Sequence, residues 1–260
     1  MIGHNLGRVM KVVPPLVEIP AFPPNQPSLW AWFKFNEGTG YLVTDYGPVG
    51  VPAYVNGQLH YPPPPTEVQR NNFWNTNPGF GHNGITYGTT RYTDVGRSGR
   101  YSSVVAFIRP LGPCSNITAL QIGSDSFLPG LNIYWNYITP YRWGFSGYSW
   151  FSFALSPDMS PGFGNWYCVY AYQSKDLGSA KLYIRESEGP FVEAVSITKA
   201  PATGNSALIY ALAMFGGTNS TCAMDGGDFL FYADETPSGI LTLTQANTIY
   251  DNLKVRYGMT

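Results

Sequence analysis

The sequence predicts an all-β protein built as a two-sheet antiparallel β-sandwich. Three observations carry this. Trp30, Trp32, Phe33 and Phe35 crowd one short apolar run that breaks at Gly38-Thr39-Gly40 and restarts at Val43-Thr44-Asp45, the pattern of strand, turn and strand. Gly (29) and Pro (22) are abundant and charged residues make up only 12%, against about 25% in typical globular chains, which suits short strands and many turns. Further strand-like runs then recur along the chain, each closed by Pro, Gly or Asn.

Residues 1–28 read as an extended arm. Residues 12–27 hold six prolines among Val13, Leu16, Val17, Ile19 and Phe22. Proline forbids helix and central strand, so the segment is expected to be polyproline-like. A disordered linker is normally polar, whereas this segment is apolar and needs a surface to lie on. That surface is either its own domain or a neighbouring subunit.

The sandwich is expected over residues 29–260, with its first strands in 29–57. A long loop insertion follows at about 60–100: Pro62-Pro63-Pro64-Pro65, then Asn71-Asn72-Phe73-Trp74-Asn75, then a Gly/Asn/Thr series. Residues 101–110 form a strand stopped by Pro110. Strands at 117–122 and 131–137 flank a turn at Pro129-Gly130, and the aromatic, Ser/Gly-rich stretch 142–153 reads as a hairpin. Residues 165–172 and 181–185 make the next pair, with Cys168 as a small buried core residue. After a closing strand at 228–232 comes a short helix. Thr244 is its expected cap, and Ala246, Ile249, Tyr250 and Leu253 fall on one face.

Several of these runs, in this order, resemble LamG-like, concanavalin A-type jelly rolls. Phe35-Asn36-Glu37-Gly38-Thr39-Gly40 with Asp45 is similar to the family's opening strand and turn. The strand at 101–110, the hairpin at 165–185 (with Tyr167 and Cys168 where the family pattern has histidines), Phe215-Gly216-Gly217-Thr218-Asn219, the strand at 228–232 and the terminal helix match later motifs. The resemblance covers residues 30–57 and 101–257. It implies a jelly-roll sandwich with a short C-terminal helix, and a domain that binds rather than catalyses.

The residues themselves offer no catalytic motif. The E-x-D-x-x-E carboxylate pattern of related glucanases is absent. Glu186-Ser187-Glu188 and Asp234-Glu235 read as solvated turns, and His4, His60 and His82 lie far apart without metal-ligand spacing. Cys114, Cys168 and Cys222 form no CxxC pair. No G-x-S-x-G and no phosphate loop occurs. No enzyme activity and no metal or cofactor is expected. The resemblance leaves calcium open through Asp45, Asp94, Asp125 and Asp225, which the sequence does not bring together.

A net charge of −1 without a basic block argues against nucleic acid as a partner. No run is long and apolar enough for membrane insertion, and no secretory signal peptide is evident, so synthesis in a host cytoplasm is expected.

The densest candidate surface is Trp135, Tyr137, Tyr141, Arg142, Trp143, Tyr148 and Trp150. Aromatic rings with polar tips suit a glycan platform, and equally suit core or a subunit interface. The function expected is a non-enzymatic structural or decoration protein on the surface of a virion, of bacteriophage type. It would be oligomeric in its assembly, docked on other virion proteins through Val13, Leu16, Val17, Ile19 and Phe22, with outward loops adhering to cell-surface glycans. The alternative is a stand-alone carbohydrate-binding or adhesion module.

Overall fold

The structure is a computed structural model, and it describes residues 22–34, 42–48, 50, 53–55, 74–76, 85–86, 101–110, 120–122, 131–135, 141–146, 153–157, 159–174, 178–198, 212–214 and 224–260. Among these, two antiparallel sheets form the sandwich that the sequence predicts. The first contains β1 (Leu29–Phe33), β4 (Trp74–Thr76), β6 (Tyr101–Pro110), β11 (Tyr167–Ser174), β12 (Ser179–Glu186), β13 (Val192–Thr198) and β15 (Met224–Asp234). Its order is β1-β15-β6-β11-β12-β13, with β4 also paired to β15. The second contains β2 (Leu42–Val43), β3 (Ala53–Val55), β5 (Ile85–Thr86), β7 (Leu120–Ile122), β8 (Leu131–Trp135), β9 (Trp143–Ser146), β10 (Phe153–Leu155) and β14 (Leu212–Met214). Its order is β10-β9-β8-β7-β14-β5-β3-β2. The sheets meet where β9 and β10 approach β13 and β8 approaches β11.

The first sheet is covered on both faces, which is why its central strands read as continuous apolar runs rather than alternating ones. Side chains alternate across a strand. On the outer face, Val105 and Phe107 of β6, Cys168 and Tyr170 of β11, and Leu230 and Tyr232 of β15 pack with Ala246, Ile249, Tyr250 and Leu253 of the helix α1 (Leu243–Leu253) in one core cluster. On the inner face, Phe231 meets Trp30 edge-on at 5.9 Å and Phe229 meets Phe33 at 6.3 Å. Cys168 is fully buried, as the sequence indicated. Each large apolar side chain so buried contributes about 1.5 to 3 kcal/mol relative to exposure.

The helix follows its predicted apolar face, but its cap is Thr242 and not Thr244. The Thr242 hydroxyl accepts from Gln245 N at 3.2 Å while the Gln245 side chain accepts from Thr242 N at 2.8 Å, a reciprocal capping box. A 3₁₀ turn, Lys254–Tyr257, continues the helix and ends at Gly258, whose φ is 65°.

One expectation about the chain's organisation is corrected, and for the end of the arm one of the two surfaces left open is seen. The stretch 60–100 is not loop throughout, because β4 pairs with the β15 edge and β5 lies between β14 and β3 in the second sheet. The end of the arm packs on its own domain. Phe22 meets Trp32 edge-on at 5.4 Å and joins the outer cluster. Past it, Gln26–Ser28 form a 3₁₀ turn, Asn25 Nδ2 donates to Ser238 O at 2.5 Å, and Ser28 Oγ donates to Asp234 at 3.1 Å. Val13, Leu16, Val17 and Ile19 lie outside the described residues.

Candidate functional site

The aromatic cluster singled out in the sequence divides between core and surface. Trp143 is 1% exposed and is corrected from a candidate ligand contact to a core residue. In β9 the alternate residues Trp143 and Phe145 are both buried, and the Trp143 ring stands 5.2 Å from Tyr167 of the opposite sheet. Its backbone is held on both sides, donating to Met159 O at 3.1 Å and accepting from Ser156 N at 2.7 Å. Tyr141 and Arg142, just before the strand, remain half-buried. Trp135 is placed at the end of β8 by its backbone, while Tyr137, Tyr148 and Trp150 lie outside the described residues.

Tyr141 has a partner that the sequence reading missed. Its ring lies 5.1 Å from Phe163, which is 38% exposed. Phe163 sits in Pro161-Gly162-Phe163-Gly164-Asn165, a turn that is tightly fixed. Gly162 N donates to the Tyr167 hydroxyl at 2.6 Å, Gly164 N donates to Pro110 O at 2.7 Å, and Asn165 Nδ2 donates to Glu186 at 2.9 Å. Gly164 has φ 90°, a conformation open to glycine and costly for other residues. The signal was a phenylalanine held between two turn glycines just before a strand.

A second cluster lies on the outer face of the first sheet, where β1 ends and β15 begins. Asp45 Oδ1 accepts from Trp32 N at 2.9 Å and from Gly47 N at 2.7 Å, and Tyr46 N donates to Trp32 O at 2.7 Å. This folds the chain back so that Tyr46, 43% exposed, stands 6.3 Å from Trp32. Lys34 Nζ lies against both rings, 4.1 Å from the Trp32 centroid and 3.9 Å from the Tyr46 centroid, an arrangement that the ring quadrupoles favour. Asp45, one of the calcium candidates, thus serves as a turn residue. Among the described residues, no group of three or more His, Cys, Asp or Glu is placed to hold a metal. Asp94 and Asp125 lie outside the described residues.

Beneath the rings is Asp228, 0% exposed. A bulge between Gly226 and Phe229 frees it from the β-ladder with β6. Its carboxylate accepts from Trp32 Nε1 at 2.9 Å, from the Tyr257 hydroxyl at 2.5 Å, and from Arg256 at 3.1 and 3.2 Å. Burial pushes the Asp228 carboxyl above its ordinary range, against the opposing pull of the Tyr257 hydrogen bond, the Arg256 charge and the Trp32 indole. Burial and then the Arg256 charge push the Lys34 ammonium down. Tyr257 stacks on Phe107 at 4.4 Å and leans on Trp166 at 4.6 Å, so the C-terminal turn is locked to the sheet through aromatic rings and one carboxylate.

Among the described residues, neither cluster presents a pair of free carboxylates. Asp228 is saturated by its donors, Glu186 accepts from Asn165, and Asp234 closes a turn with Ser28, Thr236 and Ser238. Each cluster has an exposed ring, Phe163 in one and Tyr46 in the other, and in the second a lysine lies against the rings. Among the described residues, no helix is long and apolar enough to cross a membrane.

No protein-family model matches the sequence. No curated protein matches it either. Solved structures do share its fold. One is botulinum neurotoxin type C, which gets into cells through interaction with two ganglioside molecules (TM-score 0.58, 14% identity, 88% of this chain and 52% of that one). Another is the binding domain of botulinum neurotoxin DC in complex with SialylT (TM-score 0.57, 14% identity, 88% and 52%). A third is the sialidase of Trypanosoma rangeli in complex with sialic acid (TM-score 0.57, 12% identity, 88% and 34%). The chain spans about half the length of these neurotoxin chains and about a third of the sialidase. At this identity the likeness is one of fold: the chain is a β-sandwich similar to those found within these sugar-binding proteins.

Proposed function

We propose that this protein is a non-enzymatic carbohydrate-binding module of the LamG-like, concanavalin A-type jelly-roll kind, and that Tyr141 and Phe163, with Arg142 beside them, are its sugar platform. One observation carries the reading: the exposed Phe163 ring, on a turn fixed by hydrogen bonds, packs against the half-buried Tyr141 ring. The C–H face of a pyranose packs on such rings while an arginine supplies directional donors, and a rigid platform loses little entropy on binding. The fold likeness to proteins that bind gangliosides or sialic acid supports the same class of ligand.

The glycans in question would be those of a cell surface, which makes the module an adhesion device. Docking on a virion through the arm rests on the proline-rich, apolar composition of residues 12–27 and on the few charges and many aromatics of the chain. The described end of the arm, residues 22–28, packs on its own domain, so the carbohydrate reading is preferred.

A glycan array followed by calorimetric titration of the full chain tests the proposal. Phe163→Ala should lower affinity for the best glycan at least about tenfold, or about 1.4 kcal/mol, without lowering the melting temperature, since the ring is exposed. Trp143→Ala should instead lower the melting temperature sharply. Glycan binding that survives both Phe163→Ala and Tyr141→Ala would overturn the assignment of the platform.

A further inference from the structure

We propose that the outer-face cluster of Lys34, Trp32, Tyr46 and Arg256 is a second ligand site, one that takes the anionic group (carboxylate, sulfate or phosphate) of an acidic glycan. The sugar part of this ligand rests on the carbohydrate-binding reading above. The charge rests on the cluster itself.

Lys34 is held in place by two rings. Its ammonium lies against the rings of Trp32 and Tyr46, and no carboxylate among the described residues forms an ion pair with it. The carboxylates within the cluster, Asp228 and Asp45, are both buried and occupied, Asp228 by Trp32, Tyr257 and Arg256 and Asp45 by the backbone N–H groups of Trp32 and Gly47. Among the described residues, Lys34 and the remaining donors of Arg256 are thus the charged groups of the cluster left to meet an anion. Burial and then the Arg256 charge push the Lys34 ammonium down while the Asp228 charge pulls it up, and a bound anion would add to the upward pull.

Arg256 has donors to spare. It reaches Asp228 through Nη1, and its side chain is 36% exposed. A guanidinium carries five N–H donors in a planar fork suited to carboxylate and sulfate oxygens. Lys34 adds a point charge already ordered by the rings, so less side-chain entropy is lost on binding than for a free surface lysine. The exposed part of Tyr46 supplies apolar surface for the sugar that carries the acid. Two cations beside an exposed ring thus match an acid on a pyranose better than an isolated ion.

The test is calorimetric titration of the full chain with matched acidic and neutral sugars: sialyllactose and a sulfated disaccharide against lactose and the unsulfated disaccharide, with inorganic sulfate alone as a further arm. At least one acidic sugar should bind about tenfold or more tighter than its neutral twin, with affinity falling as salt rises. Lys34→Gln should abolish that preference while leaving the neutral twin's affinity and the melting temperature unchanged, and Lys34→Arg should retain most of it. If the neutral sugars bind through Tyr141 and Phe163 and no acidic sugar is preferred, the second site is refuted and the carbohydrate reading stands. If Lys34→Gln leaves an acidic preference intact, the site has been placed wrongly. If no sugar binds but inorganic sulfate binds in a Lys34-dependent way, the cluster holds an adventitious ion only, and both readings fail.

Discussion

Gly227 and Tyr257 provide a quantitative check on how the C-terminal turn is held. A Cβ added at Gly227 would lie 2.5 Å from Cε1 of Tyr257 and 2.6 Å from both Cζ and the hydroxyl oxygen. A flexible side chain would swing away at little cost, but this ring is pinned. It stacks on Phe107, leans on Trp166, accepts from Asp228 N at 2.5 Å and donates to the Asp228 carboxylate at 2.5 Å. Overpacking of this kind costs about 1 to 3 kcal/mol. Disturbing a hydrogen bond to a charged group adds about 1.5 to 3 kcal/mol. Gly227→Ala should therefore destabilise by about 2.5 to 6 kcal/mol. Removing the ring, Tyr257→Ala, should cost about 3 to 5 kcal/mol, in the range of other large aromatic truncations. In the double variant the methyl group enters the space the ring vacates, so its cost should be close to that of Tyr257→Ala alone. The coupling between the two sites should thus amount to about 2 kcal/mol or more, well beyond the roughly 0.5 kcal/mol within which independent sites add. Denaturant unfolding of the four proteins measures this directly. A neutral Gly227→Ala, or costs that simply add, would refute the close approach.

Two further outcomes concern the closing elements and acid stability. Leu253→Ala should cost about 2 to 5 kcal/mol in denaturant unfolding, because the side chain is buried in the cluster between helix and sheet, and a negligible loss would place the helix at the periphery. Asp234 feels an upward push from burial, but hydrogen bonds from Ser238, Thr236 and Ser28 outweigh it and hold the carboxyl below its ordinary value. A depressed carboxylate contributes stability that is present above its unfolded pKa and lost as pH falls through the folded value. Asp234→Asn should therefore flatten the loss of stability below about pH 4, where an unperturbed aspartate titrates, and an unchanged acid limb would contradict the hydrogen-bonded turn.

Much of the architecture was legible because it is written locally. The run Trp30 to Phe33, the strand stopped by Pro110, the hairpin of β11 and β12 and the apolar face of the helix all came through as expected. The helix cap was also present in the sequence: Thr242 has Gln245 three residues on, the spacing of a capping box, whereas Thr244 lacks it. What could not be read depends on partners far along the chain. β4 exists because the β15 edge is open to it, some 150 residues later. The burial of Trp143 follows from the parity of β9 against the opposite sheet, and a shift of one residue would have turned the ring outward. Neither cluster follows from spacing. Phe163 meets Tyr141 with the strands β9 and β10 between them in the chain, and Asp228 reaches Trp32 across 196 positions of sequence. A window of residues shows composition, whereas a binding surface is set by which strands become neighbours.

The central claim is that this sandwich binds sugar without transforming it. The most direct measurement is incubation of the purified full chain with the best glycan from an array, following bound ligand by calorimetry and product by chromatography. The account predicts saturable binding that Phe163→Ala weakens at least about tenfold, with the glycan recovered intact. Failure to bind any glycan would contradict the account, as would recovery of cleaved sugar.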